Sequence, residues 1–377
     1  MNDAPANDAQ ANDAPANDAL ANDAQANDAP ANDAQANDAP ANDALANDMA
    51  GWLRVALATM PAPDLAAGDA VRARAADILR PAGALQRLDE LAAWMAEWQG
   101  TAQPAVRRPA ALIFAADHGV AAAGVSKYPI EVTGAMLAAF RSNQSTVTAF
   151  AAAAGATVQA VDVGVGRPTG DIRVEPALSP ERFDECVAAG RDAVAALDAD
   201  LLVIGEMGIG NTTAAAAVAA ALGEGAPADW VGRGTGVDDD GLARKRAAVE
   251  AAVARIAGQA DPLEVLREVG GAELVAMAAA VMAARLRNLP VLLDGYVVTA
   301  AVLPLEVALP GALAHCQVGH CSAEPGHRRL VQRLGMQPLL DLGMRLGEGS
   351  GAMAAVPLVR MACAGITDVP TFAEFFA

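Results

Sequence analysis

Between residues 80 and 320 the apolar positions of this chain change period several times, and each change marks an element. After Arg80-Pro81-Ala82-Gly83 the residues Leu85, Leu88, Leu91, Met95 and Trp98 fall on one face at spacings of three and four, which predicts a packing helix. Ala111 to Ala116 is instead an unbroken apolar run closed by Asp117-His118-Gly119, the pattern of a buried parallel strand with polar groups at its carboxyl end. Val158 to Val165, with Asp162 inside it, predicts a second strand. Phe183, Val187, Gly190, Val194 and Leu197 return to helical spacing. A third strand, Leu201 to Ile204, runs into a loop from Gly205 to Thr213 and then an Ala-rich helix. Beyond a second glycine loop, Gly232-Arg233-Gly234-Thr235-Gly236, a helix holds Leu242, Val249, Val253 and Ile256 inside, with Arg244, Lys245 and Arg246 near its start. An Ala/Met-rich helix follows Gly270-Gly271, then a strand over 290–295 and a last one near 314–319. Strands alternating with helices predict an α/β fold on a parallel sheet, with ligands beyond the carboxyl ends of the strands.

The first 48 residues do not share this patterning. They repeat Asn-Asp ten times at a period of five, nine of them followed by Ala, with almost nothing to bury, so ordering them would cost entropy without return; residues 1–48 are expected to be disordered. The segment has neither the basic start nor the apolar core of a secretion signal, and its period is too short for a solenoid unit. The remaining residues suit one large domain with a smaller companion. Without the repeat, the net charge of −19 becomes −9, that of an ordinary acidic protein, which argues against a general nucleic-acid binder. Apolar stretches are broken by Gly and charged residues before they reach a membrane-spanning length, so no membrane role is expected. Cys186, Cys316, Cys321 and Cys363 lack a secreted disulfide spacing, which points to a reducing cytoplasm.

Several stretches carry candidate chemistry. Gly205 to Thr213 is a strand–glycine loop–helix unit in which backbone amides and the helix N-terminus make an anion site, with Asn211 and Thr212 as capping or donating residues; a plain tight turn gives the same pattern. No Lys follows the last glycine, so it is not a P-loop, nor is it the spaced dinucleotide fingerprint. Lys245 either completes a phosphate pocket or belongs to a solvated basic face. Asp117-His118 and the His315-Cys316 and His320-Cys321 pairs invite a metal, but none has the spacing of a structural zinc site. Asp162 and Asp294 are expected to cap the turns that follow them. There is no Gly-x-Ser-x-Gly elbow. Arg345-Leu346-Gly347-Glu348-Gly349-Ser350-Gly351-Ala352 places one carboxylate among glycines, beside Met344 and Leu346: either a general base with a raised pKa or a solvated Glu in a helix-stopping turn.

Taken together, seven blocks resemble the nicotinate-nucleotide–dimethylbenzimidazole phosphoribosyltransferase family. They are Arg80-Pro81-Ala82-Gly83-Ala84-Leu85, Ala116-Asp117-His118-Gly119-Val120, Gly205 to Thr213, Gly232 to Gly236, Leu292-Leu293-Asp294-Gly295, Ser322-Ala323-Glu324 and Arg345 to Gly351. The resemblance runs from about Trp52 to the C-terminus and leaves the repeat outside. It implies a Rossmann-like parallel sheet flanked by helices, with a small helical domain formed from both ends of the chain. On that basis residues 49–100 are the N-terminal helical part of the small domain, 101–340 a large α/β catalytic domain, and 341–377 the Glu loop and C-terminal helical segment. It further implies a homodimer that transfers phosphoribose from nicotinate mononucleotide to 5,6-dimethylbenzimidazole with no cofactor and no metal. By match, Glu348 is the general base and Glu206 a second carboxylate near the reacting centre. Gly208, Asn211, Thr212, Gly234, Lys245 and Ser322 fall on the phosphate and ribose side, and Met207 and Leu346 on walls of the base pocket. The chain departs from the family after Val132-Thr133, where some members carry a base-contacting Gln and this one reads Gly134-Ala135-Met136-Leu137. Met136 is therefore placed at the base pocket, and the preferred base is left open. His118 is given no catalytic role, and Asp117 is expected to organise its strand end.

Two other functions fit parts of the pattern. A non-catalytic nucleotide binder of the same fold would not require both Glu206 and Glu348, and a metal hydrolase built on Asp117 and His118 would be chelator-sensitive. Deleting residues 1–48 is expected to leave folding and activity unchanged, with thermal unfolding and product formation as the measurements; a large loss of either would make the repeat structural.

Overall fold

The computed structural model describes residues 49–377; the repeat, and the disorder expected of it, lie outside the described residues. Helices α1 (Met49–Ala58), α2 (Leu65–Asp77) and α3 (Gln86–Gln99) precede strand β1 (Pro109–Ala116). Helices α4 (Val132–Arg141) and α5 (Thr146–Ala154) lead to β2 (Thr157–Gly164), and α6 (Pro180–Ala195) leads to β3 (Leu201–Met207). Four helices follow, α7 (Asn211–Leu222), α8 (Asp239–Arg255), α9 (Pro262–Val269) and α10 (Ala272–Leu286), before β4 (Val291–Leu293). Then come α11 (Tyr296–Ala308), β5 (Cys316–Val318), α12 (Pro325–Arg333), α13 (Ser350–Thr367) and α14 (Phe372–Phe376).

The five strands form one parallel sheet in the order β2-β1-β3-β4-β5. The strand order reverses between β1 and β3, which opens a crevice at their carboxyl ends. Alternation along each strand sorts side chains to two faces. Leu112, Phe114, Leu202, Ile204, Val291 and Leu293 enter one apolar cluster with α1 and α6 to α11. Ala111, Ile113, Leu201, Val203 and Leu292 enter the other, with α2, α3, α5 and α13. Helices from the two ends of the chain therefore share one face. Arg74 ties α2 to the end of α13 by donating to the carbonyls of Ile366 at 2.8 Å and Val369 at 3.0 Å.

The Ala-rich helices are apolar all round because they are enclosed. Ala214 to Ala219 of α7 and Ala272 to Ala284 of α10 lie buried, and so many methyl side chains let helices approach closely. Helix α13 spans 18 residues at a hydropathy of 1.3, long and apolar enough by composition to cross a membrane. Here its length covers the sheet, with Ala352, Val356 and Val359 fully buried.

Two expectations need correction. Gly205, Glu206 and Met207, expected in a loop, are strand residues paired with Ile113, Phe114 and Ala115; the long neighbour β1 offers ladder partners that periodicity does not see. Asp294 does not cap its own turn. Its carboxylate accepts from Gly349 N at 3.2 Å and Ala352 N at 2.8 Å, at the start of a helix distant in sequence. Asp162 does cap its own turn, accepting from Gly164 N and Val165 N.

Helices α6 and α10 pack backbone against backbone. A Cβ on Gly190 would lie 2.0 Å from the Ala276 carbonyl oxygen, so G190A is expected to cost about 2 kcal/mol. Equilibrium denaturant unfolding checks this, and an unchanged midpoint would mean the helices separate freely.

Candidate active site

The end of β3 and the start of α7 form the floor of a cleft. Gly208 turns the chain where there is no room for a side chain, since a Cβ there would lie 2.8 Å from the Ala116 carbonyl oxygen and from Glu273 Oε1. Ile209 N donates to Thr133 Oγ1 at 3.2 Å, pinning the turn to α4. Gly210, with φ of 99°, then starts α7. Asn211 donates its side-chain amide to Glu206 Oε2, so the first residue of α7 holds a carboxylate of β3.

Lys245 lies within α8 rather than at its start, and its surroundings decide between the two roles the sequence allows. Arg244 and Arg246 are exposed, whereas Lys245 is 1% exposed and donates from Nζ to Thr212 Oγ1 at 2.7 Å. Gly234, with φ of 53°, leaves the space: a Cβ there would lie 2.8 Å from Nζ. Burial pushes the Lys245 ammonium down to about 8, and the Glu324 carboxylate pulls it back up. The solvated basic face is therefore excluded, and a buried cation beside a helix N-terminus is an environment that favours an anion.

The roof is the turn before α13. Gly347, Glu348 and Gly349 have φ of 81°, 65° and 81°, three successive left-handed residues of which the middle one is not glycine. For Glu this conformation costs about 1 kcal/mol or more, so its surroundings must impose it. Gly347 O accepts from Ser350 N at 3.0 Å and Ser350 Oγ at 2.7 Å, closing the turn. Asp294 grips the far side. Gly205 of β3 lies directly under it, where a Cβ would meet Gly349 N at 2.6 Å. A Cβ on Gly347 would lie 2.5 Å from Glu206 Oε1. Two sequence-distant carboxylates thus share one cleft, 9% exposed at Glu206 and 6% at Glu348. Burial pushes Glu206 up to about 8, with the Asp294 charge adding and the Asn211 amide opposing. Burial also lifts Glu348 to about 7, again with Asp294 adding. Of the two sequence-level possibilities for Glu348, the solvated turn is excluded.

The remaining wall follows β5. Ser322 N donates to His327 Nδ1 at 2.9 Å, so the His327 proton sits on Nε2, 3.1 Å from Thr299 Oγ1. Burial holds His327 neutral, near 3. Nine of the eleven residues singled out from the sequence line the cleft: Glu206, Met207, Gly208, Asn211, Thr212, Gly234, Ser322, Leu346 and Glu348. Lys245 sits behind Thr212. Met136 is not among the lining residues; it is half-buried on α4 against the second apolar cluster. Leu346 stands at the rim, 52% exposed.

Three polar residues of the site were missed. Asp294 was expected only to cap, while His320 and Glu324 line the cleft and were not singled out as site residues. Glu324 had a signal, standing two residues from Ser322 and just before Pro325, at a helix start. Asp117 accepts from Gly166 N at 2.7 Å and so joins the ends of β1 and β2. His118 Nε2 lies 2.6 Å from Glu273 Oε1, both fully buried beneath the Gly208 turn and outside the cleft. His315 Nε2 lies 2.9 Å from Val281 O, and no group of three His, Cys, Asp or Glu suited to a metal occurs among the described residues.

Comparison with known proteins agrees over nearly all of the described chain. A sequence profile described as phosphoribosyltransferase matches residues 60–375. A nicotinate-nucleotide–dimethylbenzimidazole phosphoribosyltransferase of Novosphingobium aromaticivorans is 48% identical over 320 residues, 85% of this chain and 94% of the relative. One from Methylocella silvestris is 49% identical over 323 residues, with the same shares. The crystal structure of CobT from Thermus thermophilus superposes with a TM-score of 0.79 at 43% identity, covering 83% of this chain and 99% of that one.

The two raised carboxyls generate a pH prediction. From about pH 4.5 to about pH 8 the folded chain keeps protons on Glu206 and Glu348 that the unfolded chain releases, so stability falls as pH rises through that window. E206Q/E348Q is expected to flatten the fall between about pH 5 and about pH 9. Denaturant unfolding at the two ends measures it, and an unaltered slope would mean that both groups titrate as ordinary carboxylates.

Proposed function

The chain belongs to the nicotinate-nucleotide–dimethylbenzimidazole phosphoribosyltransferase family, and on that premise we propose how its cleft carries out the reaction. The enzyme transfers the 5-phosphoribosyl group of nicotinate mononucleotide to 5,6-dimethylbenzimidazole, giving α-ribazole 5′-phosphate and nicotinate in cobalamin biosynthesis. The observation that carries the residue assignments is the convergence of Glu206 and Glu348, both raised toward neutrality, beside a buried Lys245–Thr212 pair.

In this scheme the phosphate lies against Lys245, Thr212, Gly208, Gly234 and Ser322, at the N-terminus of α7, where a buried cation and helix amides favour an anion. Nicotinate leaves from a pyridinium, so its departure needs no general acid. The incoming benzimidazole attacks C1′ with one ring nitrogen while the other sheds its proton. Glu348 takes that proton: a carboxyl near 7 is a base matched to neutral pH. The C1′–N bond to nicotinate breaks as the new C1′–N bond forms on the opposite face, which turns a β-nucleotide into an α-nucleotide. Glu206, ionised once the cationic pyridinium of the donor lies beside it, stabilises the positive charge that develops on the ribose, and Asn211 orients it. Holding both substrates in line supplies much of the rate. Met207 and Leu346 give a flat base an adaptable apolar wall. The family resemblance supports Met136, on α4 one turn after Thr133, as a residue of the base-binding side.

The family resemblance supports a homodimer. The four unpaired cysteines among the described residues support a reducing cytoplasm. A non-catalytic binder of the same fold would have no use for the strain held at Glu348.

E348Q is expected to fold and to bind nicotinate mononucleotide, yet turn over at least about a hundredfold more slowly. Nicotinate release and α-ribazole phosphate formation, followed by chromatography with a chelator present, measure this. Near-normal turnover would remove Glu348 from the base role. In the wild type kcat/KM is expected to fall about tenfold per pH unit below about pH 7, as the base protonates. An acid limb that persists unchanged in E348D or E348Q would assign it to another group.

A further inference from the structure

Few hydrogen-bond donors enter the cleft with the two substrates. The phosphate and ring carboxylate of nicotinate mononucleotide only accept, and its pyridinium nitrogen carries no hydrogen, so its donors are the 2′ and 3′ hydroxyls of ribose. Dimethylbenzimidazole brings one ring N–H. Against these the cleft presents three carboxylates among the described residues, Glu206, Glu324 and Glu348. On the transfer scheme above, Glu348 receives the ring N–H. Glu206 already accepts from the Asn211 amide. Glu324 is left over.

The surroundings of Glu324 are those of an acceptor awaiting a donor. It is 9% exposed, and its Oε2 is buried with no hydrogen-bond partner. It occupies the N-cap position of α12, yet its side chain does not cap the helix. Its backbone N donates to Ser322 Oγ at 3.3 Å, fixing it beside a predicted ribose- or phosphate-side residue. A Cβ on Gly232 would lie 1.9 Å from Oε2, so only glycine at 232 leaves the carboxylate its place. The hydroxyl of Tyr296, on the same wall, is committed to the Trp230 carbonyl at 2.7 Å. A buried carboxylate without a donor is costly, and it would repel the phosphate itself. The ribose diol is a short reach from a phosphate seated on Lys245 and Thr212, and it is donor-rich where the phosphate is not.

We infer that Glu324 reads the sugar: its carboxylate accepts from the ribose hydroxyls and sets the preference for ribonucleotide over deoxyribonucleotide donors. The inference rests on the transfer scheme. Its test compares nicotinate mononucleotide with its 2′-deoxy and 3′-deoxy analogues in the full chain, with dimethylbenzimidazole as acceptor and products resolved by chromatography. The wild type is expected to favour the ribonucleotide over at least one analogue by about thirtyfold in kcat/KM. E324A, and more mildly E324Q, should bring that ratio to within about threefold, losing rate on the ribonucleotide while the analogue's rate stays near wild type. A wild-type ratio near unity overturns the inference, and needs no variant to fold. Variants that lose ribo and deoxy rates together also overturn it, leaving Glu324 a counter-ion of Lys245. A wild type that makes no α-ribazole phosphate would instead remove the transfer scheme, and this inference with it.

Discussion

Two backbones touch where the end of β3 passes beneath residues 347–349, and the rest of the site depends on that contact. Gly205 has no side chain to hold the turn away, and Gly347 has none to displace the Glu206 carboxylate. Asp294, fully buried, fastens the turn from the other side through two backbone amides of the following helix. Between these contacts Glu348 is held in a left-handed conformation that its side chain alone would disfavour. The strain is local, while its support comes from the ends of three regions of sequence, so Glu348 is positioned by the fold and not by its own loop.

Electrostatics follows from the same packing. Glu206, Glu348 and Asp294 crowd into one low-dielectric region, and each added carboxylate makes the next harder to ionise. Asp294 spends its charge on helix amides, which leaves the other two to carry protons near neutrality. Lys245 is buried behind Thr212, at the N-terminus of the same helix whose Asn211 holds Glu206.

Much of this was legible in the sequence, for identifiable reasons. Continuous apolar runs marked β1 and β3, because a strand buried on both faces needs no alternation. The glycine blocks marked the turns, because Gly208, Gly234 and Gly347 each occupy space a side chain would fill. The extent of β3 was not legible, because Glu206 reads as polar loop and is held in the ladder by its neighbour. Lys245 was ambiguous, since a basic triplet does not say which of its members points inward. Glu324 and Asp294 escaped notice because their importance comes from partners 50 or more residues away, Gly349 for one and the Lys245 region for the other. The placement of Met136 at the base pocket rested on resemblance alone; its side chain packs against the second apolar cluster.

The left-handed turn also bears on how such an enzyme can change. Catalytic placement is written in glycines and in main-chain hydrogen bonds, which offer evolution almost no intermediate steps. The apolar wall is written in Met207 and Leu346, the latter half-exposed at the rim, and these can be exchanged for other side chains without moving the backbone. On the proposed scheme, exchanges at these two positions would alter which flat heterocycle is accepted while the turn that holds Glu348 stays fixed.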